Sequence, residues 1–540
     1  MHSQVTYVPT SDEGIYELLE ELASEKIIDV NSVIKPWSRT YIANKLQDAL
    51  DKDSLLSNRQ KEDVNFYLRD YRLEIEYHTR GMKPLNLFPE KEHIATSLDP
   101  LALTYRDSLF ALSIRPVIGM EMITNKNQTS FQSQIGVDGF GYYSRSLGVY
   151  ANYNYSYENT PLSDPGYLDQ HAGGVISRYS DGTQSYNDFR WGVVYSWSFG
   201  SFGIVKDKPQ WGSSYHGSNI LAGRAPSFIQ LELKINPARW FEFSYFHGWL
   251  GSDVVDSSRS YWDGNNYHEV MRPKYIAANM FTFIPIPHLN ISIGNSIIYS
   301  DQSVHAVFLV PVLFFRLADY DQSGGDDFSS GNSQMFLDIS SRNIKHLHLY
   351  YSLYADDLSL YRISDPDRHN YFSHKGGFRL SNWPLQNLSL TAEYTYTQPL
   401  VYDHIISTAT FDSYSYNLGH YMRDNSQDLY LALQYKPIRG LRVELSYNYA
   451  QHFNDYESAA GSPGDKTPEM QDLTWQKNAF GLSGNYAILS NASLFAGIYF
   501  SNIQGFDVDE HSADYYLSRY TSEMFWGETV SGSLGFRFGL

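Results

Sequence analysis

The chain of 540 residues contains no cysteine, which excludes disulfide frameworks, thiolate nucleophiles and cysteine-ligated zinc. It is short of basic side chains: 41 Lys and Arg against 60 Asp and Glu leave a formal net charge of −19. A nucleic-acid binder needs a basic face, so that class is disfavoured. Charge of either sign is sparse at 19%, whereas aromatics reach 16% and Tyr alone (45) outnumbers Lys and Arg together. Disordered chains have the opposite composition. No stretch approaches the ~20 consecutive apolar residues of a membrane-crossing helix. No Gly-x-Ser-x-Gly elbow, phosphate loop or dinucleotide fingerprint is present, and His268-Glu269-Val270-Met271-Arg272 has Arg where a zinc protease needs its second His. His346 and His348 lack a third ligand nearby. No catalytic residue, metal or cofactor is expected, and the chain reads as a non-enzyme. The first residues lack the basic and apolar regions of a secretory leader, so for an exported protein the leader is expected to have been removed or left out.

What is present divides the chain in two. Residues 1–95 have helical periodicity. Ile15, Leu18, Leu19 and Leu22, then Ile27 and Ile28, mark one helix from Asp12 to about Asp29. A second runs from Ser38 to Leu50 around Ile42, Leu46 and Ala49. A third follows the capping-box spacing Ser57-Asn58-Arg59-Gln60 and buries Val64, Tyr67, Leu68, Tyr71 and Ile75. These predict a small three-helix domain on the periplasmic side. The stretch from Ile15 to Leu50 loosely resembles the surface-layer homology pattern, which would imply a cell-wall partner; a structural helical cap is the simpler reading.

From about Leu103 the period changes to two. Leu441, Val443, Leu445, Tyr447 and Tyr449 alternate with Arg442, Glu444, Ser446 and Asn448. Leu388 to Tyr396 alternates with Asn387 to Thr395, and Val530 to Leu540 with Ser531 to Gly539. The strands run nearer ten residues than the five or six of a soluble sandwich, and ~9 to 11 is what a tilted strand needs to cross the hydrocarbon layer. Short turns such as Asn236-Pro237-Ala238 and Ser490-Asn491 alternate with long polar loops. The prediction is an all-β transmembrane fold, an 18-stranded antiparallel outer-membrane β-barrel over residues 96–540. The count places crossings at 104–119, 169–180 and 188–205 among others. It treats Val304 to Ala318, with Pro311, as a helix or plug between strands nine and ten. On the lumen side Glu393, Arg442, Glu444 and Arg537 are expected to form a charge ladder, because charge on the lipid face costs ~2 to 4 kcal/mol. The aromatic-apolar ending Phe536 to Leu540 resembles the signal read by barrel-assembly machinery.

Several blocks carry a wider resemblance. Trp211 to Gly217, Asn219, Ala225-Pro226-Ser227-Phe228, the run from Leu231 to Ser252, Asn290 to Tyr299, the apolar segment at 304, Asp326-Asp327 with Gly331-Asn332, and Asn343 to Leu358 together resemble the Wzi-type capsule-assembly family of outer-membrane proteins. Ser213 stands where Pro is expected, and Asp326-Asp327 where Asp-Asn is commoner. The resemblance implies non-covalent, lectin-like binding of surface polysaccharide. Sugar rings stack on Trp and Tyr and pair their hydroxyls with Asp, Asn and Arg. Trp211, Tyr215, His216 and Arg224, with Asp326, Asp327 and Asn332, are the candidate contacts; the first four could equally fold inward as a plug. Asp319, Asp321, Asp326 and Asp327 have the oxygen density of a calcium site without its spacing, and Asp507, Asp509, Glu510 and Asp514 could meet lipopolysaccharide; solvated loops are the plainer reading. Two other functions compete with polysaccharide binding. One is a porin or transporter, the other a structural subunit whose helical domain docks to a periplasmic protein of an envelope machine.

Overall fold

A computed structural model describes residues 5–75, 87–88, 93–180, 182–300, 303–322, 331–356, 358, 370–454 and 470–539. Eighteen antiparallel strands close into one barrel. In chain order they are β1 Phe110–Thr124, β2 Thr129–Tyr143, β3 Leu147–Glu158, β4 Thr183–Trp197, β5 Gly200–Asp207, β6 Phe228–Ala238, β7 Phe241–Leu250, β8 Lys274–Ile286 and β9 Leu289–Ser300. The second half is β10 Asn332–Ser341, β11 Leu347–Asp356, β12 Tyr371–Ser381, β13 Leu388–Thr397, β14 Ser426–Tyr435, β15 Leu441–Phe453, β16 Leu473–Leu489, β17 Ala492–Gly505 and β18 Gly527–Phe538. Closure comes from β18 on the upper part of β1, from Gly532↔Thr124 to Phe538↔Ile118. The first residues of β1 pair instead with a hairpin, 94–106, that extends the wall.

The alternation read from sequence sets the two faces. Ile118, Ile135, Ile204, Leu390, Leu431, Leu445, Phe480, Ile498 and Leu534 point outward, where they are exposed as a continuous apolar belt. Their neighbours, among them Ser113, Asn152, Asp338, Thr391, Glu393 and Asp428, are buried inside. A pleated strand puts successive side chains on opposite faces, so a ring of such strands is apolar outside and polar within.

The predicted count is right through compensating differences. The expected crossing at 169–180 is no crossing: Val175–Ser180 is a short strand resting on β4. The expected single strand 188–205 is the end of β4 plus β5, reversed at Ser198 and Phe199, with Trp197 pairing Gly200. The two-residue turn does leave a mark, because the outward apolar positions shift by one residue across it, from Phe189, Val193 and Tyr195 in β4 to Phe202 and Ile204 in β5. A shift of one position is easily passed over in a long alternating run. The expected crossing 104–119 merges the preceding hairpin with β1.

At one end of the barrel every connection is a tight turn, as at 198–199, 287–288, 382–387 and 490–491; at the other end most are long loops. Three helices, α1 Glu13–Ser24, α2 Arg39–Leu50 and α3 Asn58–Leu68, close the turn end. The Ser38 hydroxyl caps α2 by accepting from the Tyr41 amide, and Ser57 with Gln60 forms the expected capping box on α3. Their shared core contains Ile15, Leu19, Leu22, Ile42, Leu46, Val64 and Tyr71. α1 stops earlier than expected because Lys26 takes a left-handed backbone (φ 62°), and Ile27 and Ile28 are buried without being helical.

The apolar run at 304–318 is indeed not a strand, but it is no lumen plug. A short turn of helix, Ala306–Leu309, and then α4 Phe315–Gln322 lie against the outside of the wall. Phe308 and Phe315 pack on Phe243, Tyr245, Ala277, Ile297 and Tyr299, all on the outward face of β7 to β9. Two outward asparagines satisfy its irregular backbone. Asn279 Nδ2 donates to the carbonyls of Pro311 (3.0 Å) and Leu313 (2.8 Å), and Asn295 Oδ1 accepts from the Phe315 amide (2.9 Å). A backbone without its own ladder in an apolar setting needs such partners. Apolar residues alone do not say which side of a wall they cover.

Candidate functional site

The loop between β5 and β6 turns into the barrel instead of standing above it. Its residues Gln210–Trp211 pair on one side with Leu221–Ala222 and on the other with Ile34–Lys35 from the helical region, so the two ends of the molecule meet in a three-stranded sheet inside the lumen. The Gly212 amide adds a bond to the Val33 carbonyl at 2.7 Å. Trp211 is 2% exposed and packs edge-on to Phe246 (5.2 Å between ring centres) and Phe336.

Polar anchors fix the rest of this loop. The Ser213 amide and hydroxyl both donate to Asp338 of β10. Glu393 of β13 accepts from the amides of Tyr215 (2.7 Å) and His216 (3.0 Å) and from the Tyr350 hydroxyl (2.6 Å), while Lys375 pairs with it at 2.9 Å. The Tyr215 hydroxyl meets His348 Nδ1 at 2.7 Å, and the His216 ring stacks on Tyr430 at 3.7 Å. Arg224 donates to the carbonyls of Tyr167 and His171, tying the plug to the loop after β3. The 398–425 loop joins through Leu418, whose carbonyl accepts from the Ala222 amide, and Tyr402, whose hydroxyl donates to the Asn219 carbonyl at 2.7 Å. Trp211, Tyr215, His216 and Arg224 are therefore brought together as the fabric of a plug. Asn332 is buried at the top of β10, its amide donating to the Ala409 carbonyl (3.1 Å); Asp326 and Asp327 lie outside the described residues.

The four expected lumen charges do face inward, yet they do not bond to one another as a ladder. Glu393 serves the plug. Glu444 accepts from Tyr430 and Gln434. Arg442 leaves its strand neighbours to donate to Glu17 (2.7 Å) and Glu13 (2.5 Å) of α1, and Arg537 has Glu121 4.0 Å away. Long side chains near the turn end reach the helices, which period alone does not reveal.

That contact is ionic and extensive. Glu20, on the buried side of α1, receives Arg342, Lys35 (3.5 Å), the Ser32 hydroxyl (3.0 Å) and the Tyr215 hydroxyl (3.4 Å). Glu21 receives Arg59, Lys436 (3.1 Å), Asn382 (2.8 Å) and Gln60 (2.9 Å). Asp70 lies between Arg39 and Arg115. Burial by itself would raise the Glu17 carboxyl, but Arg442 and Lys436 outweigh it and lower it from 4.5 to about 2. The same contest, with Lys436 and Arg59, leaves Glu21 well below the usual carboxylate range. Both carboxyls titrate lower when folded than when free, so the stability they contribute is present above the ordinary carboxylate range and is lost as pH falls through the folded values. Acid is accordingly expected to loosen the helices from the barrel between about pH 4.5 and 2. Hydrogen exchange of α1, corrected for intrinsic rate, reads this out; protection unchanged to pH 2.5 would contradict the ionic account.

A further group of side chains escaped the sequence reading: Tyr261, Trp262, Tyr267 and His268 stand fully outside the plug, on an exposed hairpin of the loop between β7 and β8. The alternation of so short a pair was its one signal.

A family model described as capsule assembly protein Wzi matches residues 124–514. No curated protein matches. Among solved structures, the Escherichia coli outer-membrane protein Wzi, described as involved in group 1 capsule assembly and as a carbohydrate-binding β-barrel, aligns over 100% of both chains with TM-score 0.59 at 12% identity. OccAB2 of Acinetobacter baumannii (TM-score 0.43, 9% identity) and OccD3 of Pseudomonas aeruginosa (0.43, 11%) each align over 79% of this chain, and over 97% and 90% of their own.

Proposed function

The chain belongs to the Wzi capsule-assembly family, and from that premise we propose that it is a closed outer-membrane barrel that holds surface polysaccharide on its extracellular loops without catalysis. The loop end faces out, and the helical residues, taken as a domain over 1–95, face the periplasm. The observation that carries this reading is the filled lumen. The plug around Trp211 and Glu393 enters from the loop end, the helices from the turn end, and their strands pair in between. A packed path serves a porin badly. It serves a binding protein well, because the plug ties the loops at 159–174, 208–227 and 398–425 into one rigid surface.

Trp211, Tyr215, His216, Arg224 and Asn332 then support the site from below, and direct sugar contact falls to exposed side chains above them. The apolar belt meets lipid, lipopolysaccharide surrounds the loop end, and the Phe536 to Leu540 ending is handed to barrel-assembly machinery during biogenesis. The periplasmic face of the helices is left for a protein or cell-wall partner. In a planar bilayer the purified protein is expected to stay closed, and in the same preparation to retain polysaccharide extracted from the producing cells. A steady open conductance with no retention would make it a porin instead.

A further inference from the structure

Above the last rung of β7 and β8 the chain continues as a two-stranded ribbon. The Arg272 amide bonds to the Val254 carbonyl (2.9 Å) and the Asp256 amide to the Val270 carbonyl (2.7 Å), around a Val255↔Met271 bridge. Beyond a turn held by Asp256 and Arg259, the strands resume with Tyr261↔His268, Trp262↔Tyr267 and Asp263↔Asn266. Gly264, at φ 60°, makes the tip with Asn265.

Every residue from Tyr261 to Glu269 is exposed, with Trp262 at 68%, Tyr261 at 55% and Tyr267 at 45%. Cross-strand partners share a face. One face therefore carries the Tyr261 and His268 rings, stacked at 5.1 Å, beside Asp263 and Asn266; the other carries Trp262 and Tyr267 at 5.2 Å. At the foot of the ribbon lies a polar cleft lined by Asp253, Asp403, His404, Thr410 and Ser415, with Lys274 held in an ion pair with Asp412.

We propose that this ribbon and the cleft at its foot form the sugar-binding site, and that its ligand is a polymer of uncharged sugars. The inference rests on the polysaccharide reading above and names its location. Rings held in water with carboxylate and amide groups one step along the same face suit the apolar C–H face and the hydroxyls of a sugar together. Membrane contact fits less well. The girdle position is already filled by Trp249 and Tyr275 at the last rungs, and Asp256, Arg259, Asp263 and Glu269 are interleaved with the ribbon's aromatics. Carboxylates outnumber arginines from residue 251 to 273, with Asp253, Asp256, Asp263 and Glu269 against Arg259 and Arg272, and Arg259 is spent on Asp256. A polyanion would find repulsion there.

The experiment uses the full chain in detergent and the neutral and acidic fractions of polysaccharide extracted from the producing cells. The paired variants Tyr261→Ala/His268→Ala and Trp262→Ala/Tyr267→Ala change exposed side chains, so the barrel should keep its heat-modifiable gel mobility. At least one pair is expected to lose about tenfold or more of the wild-type retention of the neutral fraction, and hydroxyl-radical footprinting is expected to show residues 261–268 protected by that fraction. Wild-type retention unchanged in both pairs would overturn the site while leaving the polysaccharide reading intact. Retention of the acidic fraction alone would overturn the ligand class, and protection by lipid vesicles alone would make the ribbon a membrane contact. No retention by the wild-type chain would remove both readings.

Discussion

Glu20→Ala is expected to free the helical region from the barrel while the barrel itself stays folded. Glu20 is 2% exposed and is the acceptor around which Arg342, Lys35, Ser32 and Tyr215 are arranged. Removing it leaves two buried cations without their counter-charge, a loss of about 3 to 5 kcal/mol in comparable buried pairs. That is a large part of what holds a small helical region against a wall. The expected result is rapid proteolysis within residues 5–75 with unchanged heat-modifiable mobility of the remaining barrel. Glu20→Gln, which keeps the hydrogen-bonding outline, should be intermediate. Resistance equal to the wild type in Glu20→Ala would mean that the apolar contacts and the Asp70 and Glu21 clusters suffice.

Trp211→Ala is expected to unseat the plug. The side chain is packed among Phe246, Phe336, Leu221 and Ile220 and sits on the strand that pairs with Ile34 and Lys35. Truncating a buried tryptophan costs about 3 to 5 kcal/mol and opens a cavity in the middle of the lumen. Conductance should appear where the wild type is closed, and polysaccharide retention should fall as a consequence of loosened loops. The order of effects separates this from a direct contact. A variant that stays closed yet loses retention would return Trp211 to the binding surface.

These two residues illustrate how far the sequence could be read. The strand faces were legible because a wall between lipid and lumen imposes period two on each crossing, and the residues Leu441 to Tyr449 and Leu388 to Tyr396 obey it. The three helices were legible from Ile15, Ile42 and Val64 spacing and from the local chemistry of Ser38 and Ser57. The plug was not. A loop rich in aromatics and polar groups has the same composition whether it meets solvent, a sugar or the inside of its own barrel, and what placed Trp211 inside was pairing with Ile34, 177 residues earlier in the chain. The segment at 304–318 was legible as helical and not a crossing, but its side of the wall was not, since its outer position depends on Asn279 and Asn295 offering hydrogen bonds on a face that is otherwise apolar. By itself the sequence determined a wall of alternating strands, its polarity and its helical cap, all products of local periodicity, whereas the count of eighteen came out through the two differences at 169–180 and 188–205 that cancel. Tertiary structure alone decided what fills the lumen, which charges tie the helices to the rim and which loop aromatics stay exposed, because these depend on contacts between segments far apart in the chain.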